Sequence, residues 1–276
     1  MKHKKLIFIF VIAAAVLTLA ACSSTYTDNN TDNINNPGAI ITGPIDGEEK
    51  AAEGGTEEQS LPEPEDNTAV YIKATVSGVN VRSGPASSYS SLGSLDMGDM
   101  VMYLGDEGNW RKTYYRGKTA YVSALYTTLY EMEKASDIIE RVIEEGARLL
   151  GTPYVYGAVR LHNGKGKLNS GFDINKFDCS SYTQYMYYYG AGVNLDLTTR
   201  TQIKQGEYVA RNDIQRGDLM FFTNSSRKNL SGIERVGHVA LYLGDNYILH
   251  TASDYAVIEK ISSTRWGYYI ETRRFV

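Results

Sequence analysis

The composition of the chain changes abruptly near residue 67, and this break limits where a folded core can form. Residues 23–67 consist mainly of Asn, Asp, Glu, Gly, Thr and Pro, with eleven acidic residues against one lysine. A segment with few large apolar side chains buries too little surface to offset its ordering entropy, and like charges keep it extended. We therefore interpret residues 22–67 as a disordered acidic tether. The remaining 209 residues are enough for two small domains.

The first residues of the chain predict export. A basic segment, Lys2 to Lys5, precedes an uncharged, predominantly apolar run of sixteen residues, Leu6 to Ala21. This run is shorter than the roughly 20 residues of a membrane span and suits a secretory signal peptide. It ends in Leu-Ala-Ala-Cys22, which resembles the lipobox of bacterial lipoproteins. The resemblance implies that residues 1–21 are a lipoprotein signal peptide and that acylated Cys22 anchors the protein to the membrane surface; an ordinary signal peptide and an uncleaved anchor are the alternatives.

The cysteine count then isolates one thiol. The chain has two cysteines, so a lipid on Cys22 leaves Cys179 without an intramolecular disulfide partner, although an exported protein could form one. A buried apolar cysteine, a metal ligand and a nucleophile all remain possible for Cys179. The charge of the C-terminal region restricts the kinds of molecule that the protein could bind. Residues 146–276 carry sixteen Lys and Arg against eleven Asp and Glu. A mildly basic domain suits an anionic substrate, whereas the export signal and the lack of a basic cluster argue against nucleic acid.

Cys179 lies at the start of a predicted helix. The stretch "FDCSSYTQYMYYYG" reads as a helix that ends at Gly190, a residue favoured just after a helix. Its apolar positions recur at helical spacing and predict core packing by Tyr182, Tyr185, Met186 and Tyr189. Free N–H groups and the positive end of the helix dipole favour an anion in the first turn. We therefore expect a lowered thiol pKa at Cys179.

Three histidines remain after the signal peptide, and two of them are predicted to meet. His162 lies in the Gly- and Lys-rich stretch "RLHNGKGKLNSG" and is expected to be a solvated loop residue. "HVALYLGDNYILH" reads as two strands joined by a tight Gly-Asp-Asn turn. His238 opens the first strand and His250 closes the second, so both lie at the same end of the hairpin. A thiol nucleophile needs such a base.

Residues 69–128 have the pattern of a small all-β domain, with short apolar runs between Gly-containing turns. The stretches "NVRSGP" and "GKTAYV", with Gly98 and Trp110 between them, resemble a bacterial SH3-like domain, which we place at 68–129. The resemblance implies binding of cell-wall peptide or packing beside a catalytic domain; a rigid spacer with Trp110 in its core is the alternative. Residues 131–150 predict a helix with Ser136 as N-cap, leading into a second domain at 130–276.

The second domain resembles the NlpC/P60 family of cell-wall cysteine peptidases. "GTPYVYG", "FDCSS", "LDLTTRTQIKQG", "RGDLMFF", "GHVALYLGD" and "ILHTAS" occur in the order typical of that family. The resemblance implies an α+β, papain-like fold in which a nucleophile helix packs on an antiparallel sheet. It implies hydrolysis of peptidoglycan stem peptides, or muropeptides, at the γ-D-glutamyl–diamino acid bond, outside the cytoplasm and without a metal or cofactor.

The same resemblance assigns roles to individual residues. Cys179 is the expected nucleophile, His238 the general base and acid, and His250 the group that orients His238. Tyr154 is expected to stabilise the oxyanion together with the Cys179 backbone N–H. Substrate contacts are expected from Asp178, Ser180 and Thr199.

The chain also departs from the family pattern. Tyr156 stands where Trp is usual, Ala158 replaces a Gly, and Leu197 replaces an Arg in the stretch that contains Thr199. Residues 158–176 are longer than the usual connection and are expected to lie near the cleft.

Three other functions remain open at this stage. Cys179, His238 and His250 could hold a zinc ion with water as the fourth ligand. A Cys/His pair could instead serve an N-acetylmuramoyl-L-alanine amidase, which cuts between glycan and peptide. The chain could also be a non-catalytic lipoprotein that binds the wall.

Overall fold

The computed structural model describes residues 67–251 and 254–276. The predicted signal peptide, Cys22 and nearly all of the predicted tether lie outside the described residues. Within them, no helix has the length and apolar character that a membrane span requires.

The first part of the described chain is built from strands, tight turns and one short 3-10 helix, Ala124–Tyr126. Left-handed backbone at Gly98, with φ of 94°, and at Gly117, with φ of 72°, allows two of these turns. Five strands form one sheet in the order β3-β2-β7-β6-β5. The other three strands of this part, β1, β4 and β8, belong to a second, larger sheet. The strands are β1 (Thr68–Ala74), β2 (Val79–Arg82), β3 (Ser91–Leu95), β4 (Met100–Met102), β5 (Asp106–Glu107), β6 (Trp110–Tyr115), β7 (Lys118–Ser123) and β8 (Thr127–Glu133).

The second part combines helices with an antiparallel sheet, which confirms the α+β class. Its elements are α1 (Asp137–Ala147), α2 (Cys179–Ala191), α3 (Thr199–Gln202), β9 (Glu207–Val209), β10 (Leu219–Phe222), β11 (His238–Gly244), β12 (Tyr247–Thr251), β13 (Ala256–Lys260), α4 (Ser263–Gly267) and β14 (Tyr269–Arg274). The predicted hairpin is confirmed as β11 and β12. The helix predicted at 131–150 is shorter, because residues 127–133 instead pair with β1 as β8. Ser136 is its N-cap, as predicted.

One sheet runs through both parts. Its nine strands have the order β8-β1-β4-β13-β12-β11-β10-β14-β9, and every pairing between these strands is antiparallel. The two parts join where Met100 of β4 pairs with Ile258 of β13. The domain boundary predicted between residues 129 and 130 falls inside β8 (Thr127–Glu133). That boundary remains a prediction.

The nucleophile helix is almost fully enclosed. Tyr182, Tyr185 and Met186 are buried as predicted, but Tyr189 is 51% exposed. The prediction that α2 ends at Gly190 is wrong, because the helix continues to Ala191 and Gly192 provides the left-handed cap with φ of 68°. Gly190 is needed for another reason: a Cβ there would come within 2.5 Å of the backbone N of Val142 in α1. The close crossing of the two helices therefore requires glycine at this position.

Candidate active site

Cys179 is held at the first position of α2 by a capping box. The Asp178 carboxylate accepts a hydrogen bond from the Ser181 N–H at 2.8 Å, and the Ser181 hydroxyl accepts one from the Asp178 N–H at 2.8 Å. This reciprocal pair satisfies two backbone donors and fixes the start of the helix. The Cys179 residue is only 7% exposed. Its thiol lies against the backbone N–H of Val239, the residue that follows His238 in β11.

The two histidines of the hairpin are hydrogen-bonded to each other. Nε2 of His238 lies 2.9 Å from Nδ1 of His250. The other nitrogen of His250, Nε2, lies 3.0 Å from Oε1 of Glu259, and Arg265 donates to the same oxygen at 2.9 Å. The prediction that His238 and His250 meet at one end of the hairpin is confirmed. Glu259 and Arg265 extend the pair into a chain of four residues.

Glu259 sets the protonation of this chain. An ionised carboxylate only accepts hydrogen bonds, so His250 must donate to it from Nε2. Nδ1 of His250 is then an acceptor, and His238 must donate to it from Nε2. This arrangement leaves Nδ1 of His238 with a free lone pair. The hydrogen-bond network therefore assigns the tautomer in which His238 can accept a proton.

The pKa values of these groups agree with a neutral histidine pair. Burial lowers the pKa of His238 well below its usual value, and the neighbouring His250 and Arg265 lower it further. Burial also lowers the pKa of His250, although the hydrogen bond to Glu259 opposes this shift. For Glu259 burial alone would raise the pKa, but His250 and Arg265 bring it below its usual value. The carboxylate thus stays ionised while both imidazoles stay neutral.

The expectation of a lowered thiol pKa is wrong for this structure. Burial and the negative charge of Asp178 raise the pKa of Cys179 to about 12. The backbone N–H groups of Val239 and Ser180 favour the thiolate, as a helix start should, but they do not outweigh burial. The resting site therefore holds a neutral thiol and a neutral imidazole, and the thiol must lose its proton during the reaction.

Tyr154 and the three predicted substrate residues surround the thiol. Tyr154, Asp178, Ser180 and Thr199 line one cavity of about 420 Å³ together with Cys179. Burial and the nearby Cys179 and Asp178 raise the pKa of Tyr154 to about 12, so its hydroxyl remains a hydrogen-bond donor. His238 lines the adjoining cavity of about 430 Å³, which also includes Tyr154. His250 is buried behind His238.

Arg160, in the long segment 158–176, is a site residue that the sequence did not single out. Its guanidinium pairs with the Asp178 carboxylate at 2.9 Å and donates to the Ser180 hydroxyl at 2.8 Å. It also donates to the backbone carbonyl of Leu197 at 2.6 Å. The segment thus reaches the cleft, as expected, and Arg160 neutralises the acid beside the nucleophile. Several bases occur in this segment, and nothing in the sequence separates Arg160 from the others.

The interpretation of His162 as a solvated loop residue is wrong. The residue is fully buried, and its ring packs 5.1 Å from the ring of Tyr188 on α2. Nδ1 accepts a hydrogen bond from the Gly164 N–H at 3.0 Å. Burial lowers the pKa of His162. This histidine anchors the segment 158–176 to the nucleophile helix and lies apart from the thiol cavity.

Among the described residues, Cys179, His238 and His250 do not form a zinc site. Nowhere among residues 67–251 and 254–276 do three His, Cys, Asp or Glu side chains converge to hold an ion. Nε2 of His238 and Nδ1 of His250 are directed at each other, which leaves neither nitrogen for a metal shared with the thiol.

Family models match both parts of the chain. Residues 151–274 match the NlpC/P60 family, and residues 77–128 match the bacterial SH3 domain. The chain therefore carries an NlpC/P60 family domain and a bacterial SH3 domain, as the sequence motifs indicated.

Curated relatives of the chain are named as peptidases of peptidoglycan or of γ-D-glutamyl-L-lysine peptides. The chain is 33% identical to peptidoglycan DL-endopeptidase CwlO of Bacillus licheniformis, over 46% of this chain and 26% of that protein. It is 27% identical to gamma-D-glutamyl-L-lysine dipeptidyl-peptidase of Bacillus cereus, over 70% of this chain and 54% of that protein. The chain thus spans between about a quarter and just over half of these relatives. A solved NlpC/P60 family protein from Bacillus cereus is 21% identical, over 75% of this chain and 63% of that chain, with a TM-score of 0.40.

Proposed function

We propose that this protein is a peptidoglycan endopeptidase: a cysteine peptidase that hydrolyses the γ-D-glutamyl–diamino acid bond of wall stem peptides outside the cytoplasm. One observation carries the proposal. Cys179 lies at the head of α2 against the strand that begins with His238, and Glu259 acts through His250 to keep Nδ1 of His238 available as a base. The names of the relatives support the substrate class.

In the first half of the proposed reaction, the thiol proton passes to Nδ1 of His238. The sulfur attacks the γ-carbonyl carbon of the D-glutamyl residue, and a C–S bond forms while the carbonyl oxygen becomes an oxyanion. The Cys179 backbone N–H and the Tyr154 hydroxyl are the proposed donors to this oxygen; one such donor contributes about 3 kcal/mol. The positive charge on His238 is stabilised through His250 by Glu259.

In the second half, His238 returns its proton to the leaving amine as the C–N bond breaks. The diamino acid departs and leaves a thioester between Cys179 and the γ-D-glutamyl group. A water molecule then attacks this thioester and gives a proton to His238; the C–S bond breaks, and the released thiolate takes that proton from His238. The cycle consumes one water and regenerates the resting neutral pair.

Two features favour cleavage within wall chains over removal of dipeptides from free peptide ends. Neither cavity beside the thiol is lined by residues 67–133, so the SH3-like part does not close them among the described residues. Asp178, the acid in the thiol cavity, is already paired with Arg160. A free N-terminal amine would therefore meet no unpaired carboxylate there. We infer that a free L-Ala amine is not required for binding.

We further propose that the enzyme acts from the membrane surface. The support is the run Leu6–Ala21 followed by Cys22, with an acidic tether up to the folded part. The proposed organisation is a signal peptide at 1–21, a tether at 22–67, the SH3-like domain at 68–129 and the catalytic domain at 130–276. Mass spectrometry of the membrane-bound protein should find a mature chain that begins at an acylated Cys22; an unmodified Cys22 would contradict lipid anchoring.

The activity is tested by incubating the protein with intact sacculi and with L-Ala-γ-D-Glu-diamino-acid peptides, followed by mass spectrometry. We expect new γ-D-glutamyl carboxyl ends from both substrates, and their complete absence with Cys179→Ala. Diaminopimelate and lysine peptides are compared in parallel. Products with free lactyl groups would instead indicate the amidase. Binding to sacculi without any cleavage would indicate a wall-binding protein.

A further inference from the structure

Two cavities adjoin in the active site, and different reactive groups line them. The first, about 420 Å³, is lined by Cys179 but not by His238; we call it the thiol cavity. The second, about 430 Å³, is lined by His238 but not by Cys179; we call it the imidazole cavity. They share Tyr154, Asn224 and Gly237. A substrate that occupies both would pass over the boundary where thiol and imidazole lie.

The proposed reaction assigns a different part of the substrate to each cavity. His238 must reach the leaving amine, so the diamino acid belongs in the imidazole cavity. The acyl part, which becomes bonded to sulfur, belongs in the thiol cavity. This assignment rests on the proposed function. It places the γ-D-glutamyl residue among the side chains of the thiol cavity.

The thiol cavity is lined by three arginines, of which Arg160 is already paired with Asp178. Arg200 and Arg227 approach the same carboxylate oxygen, Oε2 of Glu234, at 3.7 and 3.2 Å. Glu234 itself does not line the cavity. The three arginines outnumber the two carboxylates, so this group of side chains has a net charge of +1.

Glu234 shows how the two guanidinium groups can hold a carboxylate. Arg227 donates a hydrogen bond to this oxygen, and Arg200 lies at ion-pair distance from it. A guanidinium is the side chain best suited to bind a carboxylate. The Glu234 side chain is 59% exposed, whereas those of Arg200 and Arg227 are 31% and 24% exposed. An exposed carboxylate gains little from such a pair. A second carboxylate entering from the cavity side can therefore share the two arginines with Glu234.

We propose that Arg200 and Arg227 form a subsite for the α-carboxylate of the γ-linked D-glutamyl residue. A glutamyl residue joined through its γ-carbonyl keeps its α-carboxylate free, a short carbon chain away from the carbon that Cys179 attacks. Amidation to D-isoglutamine removes this charge and presents an amide N–H₂ group to two guanidinium donors. The subsite therefore selects stem peptides with free D-glutamate over amidated ones.

The test compares two peptides that differ only in this group: N-acetyl-L-Ala-γ-D-Glu-L-Lys-D-Ala and its D-isoglutamine counterpart, together with the matching diaminopimelate pair. The full chain is assayed as wild type, as the double variant R200Q/R227Q, and as E234Q. R235Q is the matched control, because Arg235 follows Glu234 in the short 3-10 helix Gly232–Arg235 but does not line the cavity. Circular dichroism melts identify any variant that fails to fold.

We expect the wild type to favour the glutamate peptide by about 10- to 100-fold in kcat/KM, the range for hydrogen bonds to a charged group. R200Q/R227Q should reduce this ratio to near one by slowing the glutamate peptide alone. E234Q should increase the ratio, because it removes the competing carboxylate, and R235Q should leave it unchanged. Equal cleavage of both peptides by the wild type, or a ratio that survives in R200Q/R227Q, overturns the subsite while the peptidase stands. Failure of the wild type to cleave any peptide or sacculus overturns the proposed function and the subsite with it.

Discussion

Glu259 is the residue on which the protonation of the active-site chain depends. It lies on β13, two positions along from Val257, the residue that pairs with His250. Side chains two apart share a face of the sheet, so the carboxylate can reach His250 diagonally. Arg265, from α4, holds the same oxygen. Glu259 is thus a positioning residue: it contacts His250, which in turn orients His238.

Glu259→Gln should lower kcat with little change in KM. A glutamine amide can turn its N–H₂ toward Nε2 of His250, which would reverse the tautomers and place a proton on the reactive nitrogen of His238. Loss of the group that directly orients a catalytic histidine costs about 10⁴-fold. Glu259 acts one residue further away, so we expect a smaller loss of about 10- to 100-fold, as for other outer-shell partners. Glu259→Asp keeps the acceptor-only carboxylate and should retain more activity than Glu259→Gln.

The pH profile separates this role from a purely structural one. His238 must be neutral to accept the thiol proton, and burial lowers its pKa. Activity should therefore persist below pH 6.5, the ordinary value for histidine, and fall only as the pH drops through the lowered pKa. Removing the Glu259 charge destabilises the protonated imidazole further, so the acidic limb of kcat/KM should move to still lower pH. An unmoved limb, or equal activity of the Gln and Asp variants, would contradict the role of Glu259.

The residue-level roles could be predicted only where the sequence itself placed groups together. His238 and His250 are joined by a tight turn, and their meeting follows from strand geometry. Glu259 stands out in the sequence as an acid that follows the apolar stretch Ala256–Ile258. Its contact with His250 cannot be predicted, however, until β13 is known to pair with β12. The ion pair between Arg160 and Asp178 forms only when the segment 158–176 folds back onto α2, and no sequence pattern predicts that fold. The thiol pKa could not be predicted because burial, which dominates it, is a property of the whole domain.

At the scale of elements, the crossing of α1 and α2 fixes the direction in which Cys179 is presented. Gly190 lies inside α2, where alanine would normally stabilise a helix by about 1 kcal/mol. Here a Cβ would overlap the backbone of Val142, and backbone cannot move aside as a flexible side chain could. Overpacking of this kind costs about 1–3 kcal/mol. Gly190→Ala should therefore lower the melting temperature by several degrees despite its better helix propensity.

Gly267→Ala is the matched control for this substitution. Gly267 ends α4, and a Cβ there would meet no atom within 4 Å. The melting temperature of the Gly267→Ala variant should equal or slightly exceed that of the wild type. If Gly190→Ala melted no lower than Gly267→Ala, the close approach of the two helices would be contradicted.

Helix ends show why element boundaries were harder to predict than the elements themselves. Two glycines, Gly190 and Gly192, are both plausible stops, and only the left-handed backbone of Gly192 marks the true one. The sequence pattern predicts a start of α1 that is too early, because residues 127–133 pair with β1, which is distant in sequence. The β11–β12 hairpin needed no distant partner, and its prediction was correct within one residue at each end.

At the scale of the whole molecule, the SH3-like part supports the active site without lining it. Ile258, which precedes Glu259, pairs with Met100 of β4. Behind the sheet, Arg216 donates to the Glu140 carboxylate at 2.7 and 2.8 Å and to the Tyr71 hydroxyl at 2.7 Å. Tyr71 lies on β1 and Glu140 on α1, so this partly buried arginine links the two parts. A displacement of β4 would therefore also displace β13, the strand that carries Glu259.

These connections predict that the two parts unfold as one unit. The chain has two tryptophans, Trp110 in β6 and Trp266 in α4, so Trp266→Phe leaves a reporter in the first part and Trp110→Phe one in the second. Each is combined with Arg216→Met, and urea unfolding is followed by fluorescence and compared with the parent carrying Arg216. The midpoints of the two reporters should shift together, because Arg216→Met strands Glu140 and Tyr71 on opposite sides of the junction, a loss of about 1–3 kcal/mol for a partly buried pair. A shift seen by one reporter alone would show that the shared sheet does not couple the SH3-like part to the strand that holds Glu259.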